Sequence, residues 1–124
     1  SIKIGGTTRF RTLSPIYLKE TLETAKGLRT WDLYPGDEGW AEALKENLVG
    51  KYESYTGTSI GDPEFHVSRI SRMERKRINI AGSYRRCAML EFTAKSDPRL
   101  LKFGYEAGFG EKNSMGFGCD EVLT

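Results

Sequence analysis

Apolar and polar residues alternate from Thr8 to Leu13, with Phe10 and Thr12 on one side and Arg9, Arg11 and Leu13 on the other. That is the period of a half-buried strand. Pro15 cannot donate to a ladder and marks a bulge or the strand end, with Ser14 held extended before it. Lys19 to Trp31 keeps no clear period: Leu18, Leu22 and Ala25 hint at a helical turn ending near Gly27, and the segment is predicted as a loop. After Pro35-Gly36, Asp37 is placed to cap a helix whose apolar stripe runs Trp40, Leu44, Leu48, Tyr52 and Tyr55,. Gly50 costs that helix about 1 kcal/mol relative to Ala, and Gly57 ends it.

Period two returns from Glu64 to Ile70, with Phe65 and Val67 opposite His66 and Ser68. Beyond a basic stretch, Arg77–Ile80 and Tyr84–Ala94 flank Ala81-Gly82-Ser83, which reads as a hairpin,. Ala88, Leu90 and Phe92 face one way in its second arm, Cys87, Met89 and Glu91 the other. Asp97-Pro98 supplies a cap and a proline at the first helical position. Leu100, Leu101 and Phe103 give this second helix an apolar side, Gly108 closes it, and Phe117 to Leu123 is the last strand. Strand, helix, strand, strand, helix, strand is the split βαβ order, predicting an α+β, ferredoxin-like βαββαβ fold: an antiparallel sheet with two helices on one face. Residues 1–124 are long enough for one such domain with its own core,.

Charge changes the picture more than composition does. From His66 to Arg86 there are seven Lys/Arg against one Glu, or +6; the rest of the chain, with 12 basic and 16 acidic residues, carries −4. Segregation of this kind is the footprint of a polyanion-binding face, although a basic face can also be merely solvated. Arg75, Lys76, Arg77, Arg85 and Arg86 are the cations at the hairpin, and Tyr84 beside them is placed to stack on an unpaired base or to serve as an edge tyrosine.

The densest motif is Gly108-Phe-Gly-Glu-Lys-Asn-Ser-Met-Gly-Phe-Gly118. Glycines at 108, 110, 116 and 118 bracket an apex of Lys112, Asn113 and Ser114, a backbone-rich cradle suited to phosphate. The dinucleotide and phosphate-loop fingerprints do not fit, and the alternative is a glycine-lined crossing of two backbones with no ligand. Asp37-Glu38 and Asp120-Glu121 read as helix-start charge and strand-end solvation. Cys87 and Cys119 fit no metal spacing, and a single His makes a structural zinc site untenable. In the predicted sheet the third and fourth strands flank the first, which puts the cysteine Cα atoms about 9–10 Å apart and leaves both reduced. No metal or other cofactor is expected, and no apolar run reaches the length of a membrane span. Ser1-Ile2-Lys3-Ile4 lacks an initiator Met and reads as the start of an excised or processed domain,.

The element order with Gly-Phe-Gly-x5-Gly-Phe-Gly before the last strand resembles the repeat-associated mysterious protein superfamily. More narrowly, it resembles the carboxy-terminal half of the CRISPR repeat-processing endoribonucleases. Arg11-Thr12-Leu13-Ser14-Pro15-Ile16, Asn47-Leu48 with Lys51-Tyr52, and Tyr105-Glu106-Ala107-Gly108 carry the same likeness. The resemblance implies a cytoplasmic RNA-processing protein of two ferredoxin-like domains that cuts CRISPR repeat RNA without metal. Attack by a ribose 2′-OH would leave a cyclic phosphate and a 5′-OH. In such proteins a His near the first helix of the amino-terminal domain usually supplies proton transfer, so no catalytic residue is expected in this chain. His66, on the polar side of its strand, is the only other candidate for that work. Implied partners are repeat RNA, the amino-terminal ferredoxin-like domain, and a CRISPR effector complex or a second copy of the chain. Alternative classes are a non-catalytic RNA-binding subunit and a ferredoxin-like module for a small ligand.

Overall fold

The computed structural model describes residues 4–123; Ser1 to Lys3, the expected start of an excised domain, lie outside them. Strand β1 (Thr7–Thr12) sits between β5 (Ser83–Ser96) and β6 (Asp120–Leu123), and β4 (Phe65–Ile80) pairs with the other edge of β5. The antiparallel sheet therefore runs β4-β5-β1-β6. Helices α1 (Trp40–Thr56) and α2 (Pro98–Ala107) cover one face, in the expected ferredoxin-like order. The predicted third and fourth strands do flank the first, and both cysteines are free, Cys87 buried and Cys119 exposed.

Alternation makes the core. Thr8, Phe10 and Thr12 of β1 point inward while their neighbours are exposed, and Phe10 lies opposite Phe92 of β5 with ring centroids 5.4 Å apart. Trp40, Leu44 and Leu48 of α1 and Leu100 and Leu101 of α2 close over these rings. Fully burying each such side chain contributes about 1.5–3 kcal/mol. Asp97 caps α2 as predicted, accepting the Arg99 N–H at 2.9 Å ahead of Pro98.

Four expectations change. Lys19 to Trp31 is no loop: β2 (Leu18–Thr24) and β3 (Gly27–Leu33) form a hairpin inserted before α1. Its turn lacks the Asn-Gly or Asp-Gly signal of tight hairpins; Thr24 closes it instead by donating to the Gly27 carbonyl at 2.8 Å. Asp37 does not cap α1. Its carboxylate accepts the Tyr34 N–H at 2.8 Å, and the cap position falls to Gly39. Tyr55, expected in the core stripe, is 79% exposed, and its neighbours Ser54 and Thr56 in the last turn of α1 are exposed with it. The basic stretch does not interrupt β4, which continues through two register irregularities, the second holding Arg72 at φ 49°.

Candidate nucleic-acid interface

The segment between α2 and β6 is fixed by its two phenylalanines. Phe109 is fully buried against Phe10 (5.0 Å) and Phe92 (5.2 Å). Phe117 joins a separate cluster with Tyr17, Ile80 and Cys87. Each ring is an anchor, and the glycines beside them let backbones meet. A Cβ on Gly118 would sit 1.8 Å from the Phe109 carbonyl oxygen, and one on Gly110 would sit 2.5 Å from that of Tyr17. Backbone bonds close the crossing: Phe109 N–H donates to Gly118 at 2.9 Å, Glu111 N–H to Tyr17 at 2.7 Å, and Gly118 N–H to Pro15 at 2.8 Å.

Lys51 of α1 ties the loop from beneath. Its Nζ donates to the carbonyls of Gly108 (2.9 Å) and Gly110 (2.8 Å) and to Asn113 Oδ1 (2.7 Å). Three acceptors match the three hydrogens of an ammonium. Asn113 is consequently an internal strut, its Nδ2 donating to Phe109 (3.1 Å) and Phe117 (2.9 Å) carbonyls. Lys112, at φ 57°, and Ser114 are exposed on a 3-10 turn (Asn113–Met115), and Gly116 follows in open space.

Asp120 completes this substructure, and it is not the solvated strand end that its sequence position suggests. Opposite Thr12 and on the same side of β6 as Val122, it points inward, and both carboxylate oxygens are buried without a hydrogen-bond partner among the described residues. Burial pushes its carboxyl up to about 8, against the pull of the Lys51 charge. Burial likewise pushes Lys51 down to about 8, against the pull of Glu111 and Asp120. Desolvation dominates both.

The basic hairpin divides by register. Arg77 lies opposite Arg86, Asn79 opposite Tyr84 and Arg75 opposite Ala88, so Arg75, Arg77, Tyr84 and Arg86 share one face,. Lys76 and Arg85 alternate onto the other face with Ile78 and Cys87. The Arg77 guanidinium lies 4.6 Å from the Tyr84 ring centre and that of Arg75 5.0 Å from Tyr34,, whereas Lys76 pairs with Glu74 at 2.7 Å. The inserted β2–β3 hairpin braces this arm: Asp32 accepts the Tyr17 hydroxyl and the Arg86 N–H, each at 2.9 Å.

Glycine loop and hairpin are neighbours. Ile80, last residue of β4, packs in one cluster with Phe117 of the loop. His66 lies apart, exposed at the opposite end of β4 and facing Lys95 across the ladder. Among the described residues no group of three or more His, Cys, Asp or Glu is disposed to hold a metal, and no helix is long and apolar enough to cross a membrane. Sequence reasoning misses Lys51 and Asp120 as site residues, yet both carry a signal. Lys51 falls three residues after Leu48 and seven after Leu44, within the buried stripe,. Asp120 shares the parity of Val122,.

A ferredoxin-like sheet with a glycine loop locked between its second helix and last strand defines a domain of the CRISPR repeat-processing class. The chain belongs to the family described as CRISPR associated protein Cas6, C-terminal, whose model matches residues 2–122. It is 46% identical over 109 residues to the CRISPR-associated endoribonuclease Cas6 1 of Methanocaldococcus jannaschii, covering 87% of this chain and 42% of that protein. A solved structure of a Cas6-related protein from Pyrococcus furiosus matches with a TM-score of 0.88 at 31% identity, over 99% of this chain and 50% of the other. Another, described as an RAMP protein binding different RNA substrates, matches with a TM-score of 0.84 at 30% identity, over 99% of this chain and 51% of that one. The chain thus spans about half the length of the relatives it matches.

Proposed function

We propose that this chain is the carboxy-terminal, RNA-gripping domain of a two-domain CRISPR repeat endoribonuclease. On this reading the glycine loop and the hairpin face of Arg75, Arg77, Tyr84 and Arg86 hold the repeat RNA. Proton transfer for 2′-OH attack on the adjacent phosphate, a step that needs no metal, belongs to an amino-terminal ferredoxin-like partner domain. The observation that carries the reading is the cluster of Ile80, Cys87 and Phe117, which seats a rigid, backbone-rich loop against one face of the arm whose other face carries Arg75, Arg77, Tyr84 and Arg86. Phosphate contacts of that kind position an RNA, and cations at the arm make binding salt-dependent. The RNA bound by the relative of 30% identity agrees with it.

This division of labour predicts that the 124-residue chain binds repeat RNA but cuts it negligibly. Loss of a general acid–base group costs about 10²–10⁴ in rate. Labelled repeat RNA is incubated in EDTA with the chain alone, and with an amino-terminal domain from a relative added in trans. Cleavage only in the second mixture supports the assignment. Cleavage by the chain alone that disappears in His66→Ala contradicts it and makes His66 the proton-transfer residue.

A further inference from the structure

Between α1, the end of α2 and the glycine loop lies an open cleft of about 740 Å³, within the usual size of a small-ligand site. Its outer wall is aromatic. Tyr55, on the last turn of α1, is 79% exposed, yet its ring is held 5.8 Å from that of Phe103, which in turn meets Tyr52 edge-on at 5.7 Å. An exposed aromatic ring set against a second ring, itself packed on a third, offers the kind of platform on which single-stranded RNA-binding proteins stack bases,. The opposite wall is the loop apex with the exposed Lys112.

The charge of the cleft argues against a plain phosphate pocket. Lys51 lines it, but its ammonium is already saturated by three loop acceptors. Glu106 and Glu111 also line it, and the buried Asn47 Oδ1 at its edge has no donor among the described residues. Two carboxylates in the same cleft ask for N–H donors, which the exocyclic amines of nucleobases supply,. One cation at the rim suffices for one phosphate.

We propose that this cleft is a subsite for a single unpaired nucleotide of RNA, its base stacked on Tyr55 with an exocyclic amine toward Glu111 and its phosphate at Lys112. Adenine, cytosine and guanine satisfy that chemistry, and uracil, which has no amine, does not. The subsite rests on the RNA-binding reading above and adds to it a base preference located on α1, away from the basic hairpin.

The test is equilibrium binding of short oligo(A), oligo(C) and oligo(U) RNA to the full chain and to Tyr55→Ala and Tyr55→Phe. Exposure of Tyr55 means both variants should fold, which circular dichroism checks. The wild type should prefer oligo(A) and oligo(C) to oligo(U). Tyr55→Ala should lose roughly 5- to 150-fold on the first two, the range that base–aromatic stacking commands, with an unchanged salt slope because the substitution leaves every phosphate contact in place. Tyr55→Phe should bind like wild type. Salt-dependent binding in which a folded Tyr55→Ala matches the wild type, or in which oligo(U) binds equally well, overturns the subsite and leaves the RNA-gripping function standing. No RNA binding by the wild type overturns both.

Discussion

The glycine loop and the basic hairpin stand side by side, yet they are built on opposite plans. In the loop, side chains and carbonyls are spent on one another: two buried phenylalanines, an internal Asn113 and a lysine with all three hydrogens used. In the hairpin, Arg75, Arg77, Tyr84 and Arg86 lie exposed on one face, held mainly by cation–π contacts and a ladder. A rigid surface lowers the ordering cost of gripping a ligand, whereas exposed cations speed and strengthen its capture. The loop should therefore be costly to mutate and the hairpin cheap, with the effects of its arginines appearing only when RNA is present.

Glycine substitution breaks the comparison most sharply. Gly118→Ala drives a methyl to 1.8 Å from the Phe109 carbonyl, and a backbone clash in a packed site should cost about 4 kcal/mol or more. At the hairpin turn, Gly82 has an equally positive φ of 84° but nothing within 4 Å. Gly82→Ala should cost only about 1–2 kcal/mol of conformational strain. Urea denaturation of the two variants reads the difference directly, and equal losses would mean that strain alone explains both.

Lys51→Met comes next. It keeps the stem but leaves the Gly108, Gly110 and Asn113 oxygens without their donor and Asp120 without its cation. Breaking one partner of such a buried arrangement typically costs about 3–5 kcal/mol. Hydrogen exchange should accelerate across residues 108–118 while the hairpin amides stay protected. Uniform acceleration would show that Lys51 supports the whole fold instead of the loop.

The same pair makes stability depend on pH. Asp120, pushed up to about 8 by burial, binds a proton more tightly folded than unfolded. Its contribution is therefore fully present below about pH 4 and is lost as pH rises through 8. Lys51, pushed down to about 8, binds its proton less tightly folded, so its contribution rises with pH from there to about 10.5. Asp120→Asn should remove the decline between pH 4 and 8, which denaturant melts across that range would reveal. An unchanged decline would place its origin elsewhere.

How much of this the sequence discloses depends on whether the signal is local. The βαββαβ order, the α2 cap at Asp97-Pro98 and the free cysteines follow from periodicity, capping and sheet order, all of which leave marks at fixed spacing. The β2–β3 hairpin escapes because Thr21, Glu23 and Thr30 imitate a polar loop; its cross-strand bond, Thr21 to Thr30 at 3.0 Å, exists only once the strands pair. In the glycine motif the backbone crossing is legible as an alternative to the phosphate cradle. Its lock is not, because Lys51 lies 57 residues from Gly108. Single residues of a basic arm also conceal their register: Arg75, Lys76 and Arg77 read as one run, and pairing sends Lys76 to the other face.

That split gives the most direct test of the central claim, that an arm seated on a rigid loop grips RNA through its arginine face. Repeat-RNA affinity is measured against salt for the wild type, for Arg75→Ala/Arg77→Ala/Arg86→Ala and for Lys76→Ala/Arg85→Ala. Removing one cation from a phosphate flattens the log–log slope by about 0.7–0.9. The first variant's slope should therefore fall by about 2 and the second's far less, with the melting temperature of each close to wild type. Equal slopes and affinities in all three proteins would contradict the account and leave the arginines as a solvated face.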